Sequence, residues 1–119
     1  MEIEHLVLCN EMTNNNTDEI SIIAYIEDNC LHVSYICTPS GWGIHTNEFT
    51  IAKYYSFDEN NTEQLILRLG GKLKNDNDND KDTEALLLKN FCGLNAIEKL
   101  ECFCKSNKIA MNNSGEKNI

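Results

Sequence analysis

Long apolar runs are missing from this 119-residue chain: stretches such as Leu65–Leu67 and Leu86–Leu88 are far too short to cross a bilayer. A basic leader is missing too. The opening Met1-Glu-Ile-Glu-His5 has no positive n-region and no cleavable apolar run, which predicts no export and a cytosolic protein. Basic side chains are scarce, ten against nineteen acidic ones, for a net charge of −9. Nucleic-acid binding draws on Lys and Arg to displace counterions from phosphate, so that class is disfavoured. Docking on anionic lipid is disfavoured for the same reason.

Paired-cysteine motifs are also lacking. Six cysteines are present, but none stands in a C-x-x-C, and the two sulfurs of Cys102-x-Cys104 point to different sides of a helix. His5, His32 and His45 follow no zinc-ligand spacing. A cytosolic chain keeps its thiols reduced, and reduced cysteine packs as a small apolar residue. The sequence thus predicts neither metal nor cofactor. Three N-x-[ST] sequons begin at Asn15, Asn60 and Asn112, which an asparagine-rich chain produces by chance.

What is present is ordinary in quantity and unusual in placement. Apolar residues at 41% and charged residues at 24% suit one globular domain with a real core. Residues 1–59 hold ten acids (Glu2, Glu4, Glu11, Asp18, Glu19, Glu27, Asp28, Glu48, Asp58, Glu59) against Lys53 alone, net −9; residues 60–119 hold nine of each sign, net 0. The whole imbalance belongs to the first half. It reads either as a field directed at a partner or as a solubility device.

That first half alternates as strands do. Ile3 to Cys9 is apolar with β-branched Ile and Val, and the Thr13–Thr17 asparagine cluster then signals a turn. Ile20, Ile22, Ala24 and Ile26 alternate with Ser21, Ile23, Tyr25 and Glu27. Asp28-Asn29 predicts a tight hairpin into Leu31, Val33, Tyr35 and Cys37, which alternate with His32, Ser34 and Ile36. A loop over Thr38–Gly43 precedes a fourth strand at about residues 46–55, with Phe49, Ile51 and Lys53 opposite Thr50, Ala52 and Tyr54.

The second half reads as helices. Asn60-Asn-Thr-Glu63 offers an N-cap with Glu three residues on, and Leu65, Ile66, Leu69 and Leu73 follow at helical spacing. Gly70-Gly71 ends or bends that helix, and the Asn/Asp tract from Lys74 to Asp82 reads as a solvated loop. A short helix, Thr83–Asn90, buries Leu86, Leu87 and Leu88, and Gly93 breaks it. The last helix, about Asn95–Ser106, turns Ile97, Leu100, Phe103 and Cys104 inward, and Ile109–Met111 is a candidate edge strand. Strands followed by helices predict an α+β fold: an antiparallel sheet of four to five strands with two to three helices on one face. The domain is expected over residues 1–111, with 112–119 as a flexible tail.

Catalytic motifs are scarce in this sequence. Asp76-Asn-Asp-Asn-Asp80-Lys-Asp82 resembles a calcium loop superficially, but Lys81 stands where Gly is needed and Leu87 where the bidentate Glu belongs. Ser40-Gly-Trp-Gly43 lacks the nucleophile-elbow frame, and no Walker lysine follows it. His45, beside that loop, is the one residue kept as a general acid or base. The sequence argues against an enzyme.

With helices on one sheet face, the other face and the hairpins carry the unbalanced acid, and Tyr25, Ile36, Trp42 and Tyr54 are candidates for that surface. Glu27, Asp28, Glu48, Asp58 and Glu59 are the candidate steering charges, with Trp42 and Tyr54 as anchoring contacts. The closing stretch Leu86-Leu-Leu-Lys-Asn-Phe-Cys-Gly, continuing to Ile109, covers about a fifth of the chain. In this acidic, Asn/Lys/Ile-rich setting it resembles the helical ends of immunity proteins from bacterial polymorphic toxin and contact-dependent growth inhibition systems. It contains no residue-specific motif, so no functional residue is carried over. The resemblance implies a cytosolic protein that binds and neutralises a cognate toxin, often a basic nuclease. The alternative is a phage-encoded inhibitor of a nucleic-acid-handling defence enzyme, using carboxylates to imitate phosphate. Partner identity and oligomeric state stay open.

Overall fold

A computed structural model describes residues 2–12, 18–39, 51–71 and 77–118. Four strands come first: β1 (Ile3–Met12), β2 (Asp18–Glu27), β3 (Cys30–Pro39) and β4 (Ile51–Ser56). Three helices follow, α1 (Glu59–Arg68), α2 (Asn77–Asn90) and α3 (Ala96–Asn107), and then a strand β5 (Asn112–Asn118). All neighbours pair antiparallel in the order β1-β2-β3-β4-β5. The architecture is α+β, a five-stranded antiparallel sheet with its helices in the C-terminal part, as the sequence pattern anticipates.

The two-residue turn sets the register of the central hairpin. Asp28 and Asn29 both adopt left-handed backbone, φ 54° and 63°. This is the twisted turn that suits strand twist, and Asp and Asn tolerate it better than most residues. Pairing then runs without a slip from Glu27↔Cys30 to Asp18↔Pro39. Because side chains alternate, that register fixes both faces. Leu6, Ala24, Val33 and Tyr55 form one cross-strand row, and Ile23, Ser34 and Tyr54 form a row on the opposite face.

The first of these faces carries the core. Ile20, Ile22, Ala24, Ile26, Leu31 and Val33 are buried with Leu65 and Ile66 of α1, Leu87 of α2 and Leu100 and Cys104 of α3. Phe91, just beyond α2, meets Phe103 of α3 edge-to-face with ring centroids 5.7 Å apart. Gly70, at φ 96°, lets the chain leave α1 in a conformation that a β-carbon would strain. Gly71 follows so closely that a β-carbon would lie 2.6 Å from Ile66 Cγ2.

Several local expectations are corrected. The cap of α1 is Asp58, two residues before Asn60: its Oδ1 accepts the Asn61 backbone N–H at 2.7 Å. The stretch from Asn77 to Asp82 is the start of α2 and not a solvated loop. Of the three leucines in that helix only Leu87 is fully buried, while Leu88 is 38% exposed. The stretch 112–118, expected as a tail, is β5 hydrogen-bonded along β4. Buried Ile109 packs in the core ahead of that strand. The Thr13–Thr17 turn, residues 46–50 of the anticipated fourth strand and the 40–43 part of the loop lie outside the described residues.

Candidate functional site

The β2–β3 turn and the β4–α1 junction meet at one end of the sheet, and the peptide groups of Leu31 hold them together. Its N–H donates to the Thr62 hydroxyl of α1 at 2.9 Å, and its C=O accepts the Phe57 N–H at 2.9 Å. Phe57 and Thr62 are both almost wholly buried. This clamp brings residues about thirty positions apart in sequence around a single depression of about 280 Å³. Glu27, Asp28, Cys30, His32, Ser56 and Asp58 are among the residues lining it.

Three of the anticipated steering residues therefore share one site. Glu27 ends β2, Asp28 opens the turn and Asp58 caps α1; all three side chains are exposed. Glu59, the first residue of α1, is exposed beside them. Glu2 joins the same end, which the sequence reading did not anticipate: its Oε1 accepts the Asp28 backbone N–H at 3.1 Å. The only Lys or Arg of residues 1–59 is turned elsewhere. Lys53 pairs with Tyr35 on the helix-bearing face, its Nζ 5.7 Å from the Tyr35 ring centroid. Among the described residues of its own half of the chain, no Lys or Arg neutralises the acidic charge of this end.

Next to the acidic depression lies an aromatic one of about 270 Å³, lined by Tyr25, Ser34 and Tyr54 among others, and His32 and Ser56 border both. Tyr25 and His32 stack with centroids 4.7 Å apart and planes 12° from parallel. A two-residue hairpin centred on Asp28-Asn29 pairs these positions directly, so their contact was implicit in the turn. Tyr54 is half-buried on this face and lines the same depression as Tyr25, and Ile36 is on the same face. Val7, also on this face, is 44% exposed. Trp42, Glu48 and His45 lie outside the described residues.

The cysteines and potential metal ligands among the described residues form no comparable catalytic or metal-binding cluster. All six cysteines are free: Cys9 and Cys104 are buried, Cys30 and Cys37 half-buried, Cys92 and Cys102 exposed. Burial pushes the Cys104 thiol up to about 11 and raises those of Cys9 and Cys37, the opposite of what an activated nucleophile needs. Among the described residues no group of three or more His, Cys, Asp or Glu side chains is placed to hold a metal ion. No described helix is long and apolar enough to cross a membrane.

No protein-family model, curated protein or solved structure matches the chain.

Proposed function

We propose that this protein is an inhibitor of the immunity type, which binds a basic toxin domain through the acidic end of its sheet and the aromatic face beside it. The observation that carries the reading is the convergence of Glu27, Asp28 and Asp58 on one depression bordered by the stacked Tyr25–His32 pair. Carboxylates held on a rigid hairpin and a helix cap attract a basic surface over several ångströms, and raise the association rate in a salt-dependent way. Tyr25, His32 and Tyr54 offer flat, half-buried rings whose desolvation against a partner slows dissociation. A cation carrying an apolar stem, such as arginine, suits both halves of the surface.

The test is capture of partners by a tagged copy at low and at high salt, followed by identification and a toxicity assay. The reading expects one stoichiometric basic protein, retained at low salt, whose toxicity the chain suppresses when both are expressed. A retained nucleic-acid-handling enzyme without such toxicity would replace the reading with the phage-inhibitor alternative. Nothing retained at low salt would reduce the −9 charge to a solubility feature.

A further inference from the structure

The edge strand β1 and the turn between α2 and α3 are joined by a main-chain hydrogen bond: Gly93 N–H donates to Leu8 C=O at 3.0 Å. Strand-like main-chain contact of this kind holds backbones about 5 Å apart. Each member of the bonded pair has a cysteine as its chain neighbour, Cys9 after Leu8 and Cys92 before Gly93. Cys9 pairs with core residue Ile22, so it faces the helix-bearing side where this turn packs. The two thiols are also near enough for a charge on Cys92 to oppose ionisation of Cys9. Their accessibilities differ sharply, since Cys92 is exposed and Cys9 is 4% exposed.

We propose that Cys9 and Cys92 form a redox clip, closed by a small external disulfide such as oxidised glutathione. Exposed Cys92 reacts first. Its thiolate attacks one sulfur of the oxidant, forming a Cys92–glutathione mixed disulfide and expelling one glutathione thiolate. The Lys99 ammonium, 3.0 Å from the Cys92 carbonyl oxygen, favours approach of this anionic reagent. The Cys9 thiolate then attacks the Cys92 sulfur, forming the protein disulfide and expelling the second glutathione thiolate. Two thiols lose two protons and two electrons, and one oxidised glutathione becomes two reduced ones.

The second step is the slow one. Cys9 Sγ is buried and 3.7 Å from Glu11 Oε2, a neighbour that disfavours the attacking thiolate. Closure fastens the α2–α3 turn to β1 and encloses most of the chain in one loop. Long loops gain most from such a bond. The folded protein therefore gains heat resistance under oxidising conditions, with Tm rising on the order of 10 °C.

The experiment treats the folded protein with oxidised glutathione, quenches with acid, alkylates the remaining thiols and maps the peptides by mass spectrometry. The expected product links the peptide of Cys9 to that of Cys92, with Cys30, Cys37, Cys102 and Cys104 alkylated. Cys92→Ser, at an exposed position, should remove the link and the gain in Tm. Cys9→Ala should instead stop the reaction at the glutathione adduct on Cys92. A persistent adduct on wild-type Cys92 with Cys9 still alkylatable, or a link joining Cys92 to another cysteine, would overturn the proposal.

Discussion

The Thr62 hydroxyl accepts the backbone N–H of Leu31 at 2.9 Å, in a place where neither residue is more than 2% exposed. This one bond ties the first turns of α1 to the start of β3, and with it the Asp58 cap to the Glu27–Asp28 turn. The same hydroxyl lies 3.5 Å from the Phe57 carbonyl, so it is placed between a donor and an acceptor.

Replacing Thr62 with Val keeps the shape and removes the acceptor. The buried Leu31 N–H then has no partner, at a cost of about 1–3 kcal/mol. Thr62→Ser retains the hydroxyl and loses only a methyl group, so it should fall well short of that. Urea denaturation of the two variants against wild type checks the order.

Asp58 has two roles that a pair of substitutions separates. Asp58→Ala removes the cap bond to Asn61 and should cost about 1 kcal/mol. Asp58→Asn keeps an acceptor at the N-cap and should leave stability within about 0.5 kcal/mol of wild type. Both remove the same charge, so both should slow association with a basic partner equally. Thermal melts and association rates measured on the same samples test this division.

Much of this site was legible in the sequence, because the β2–β3 hairpin is governed by local chemistry. Asp28-Asn29 predicts the turn, the turn fixes the register, and the register brings Tyr25 opposite His32. The meeting of Asp58 with that turn was not legible. It depends on Thr62 reaching Leu31 across 31 positions, and nothing local marks a threonine in a helix as a tertiary acceptor. The cap itself was misplaced for a related reason: Asn60 fits the capping-box spacing, but Asp58 lies where the chain leaves buried Phe57 and turns. β5 was hidden more deeply. Asn-Asn-Ser-Gly-Glu-Lys-Asn has no β-branched residue and no apolar alternation, so only the open edge of β4 gives it a strand's pairing.

The buried thiol of Cys104 gives stability a pH dependence of definite sign. Its pKa rises from 9.0 to about 11 on folding, chiefly by desolvation and then by the charge of Glu101. Folding therefore favours the protonated thiol. Its contribution is whole below pH 9.0 and is lost as pH climbs from there to about 11. The raised thiols of Cys9 and Cys37 act in the same direction. Under reducing conditions, denaturation midpoints should fall as pH rises from about 9 to about 11, and Cys104→Ala should flatten part of that slope.

The central claim is that the acidic end of the sheet steers a basic partner. The most direct measurement is stopped-flow association of the captured partner with wild type and with a Glu27→Lys, Asp28→Asn, Asp58→Asn variant, at low and high salt. Asn is chosen at position 28 because it tolerates the left-handed backbone there, φ 54°. Association should be at least about tenfold slower for the variant at low salt, with the difference collapsing at high salt. Equal rates and equal salt dependence for the two proteins would contradict it.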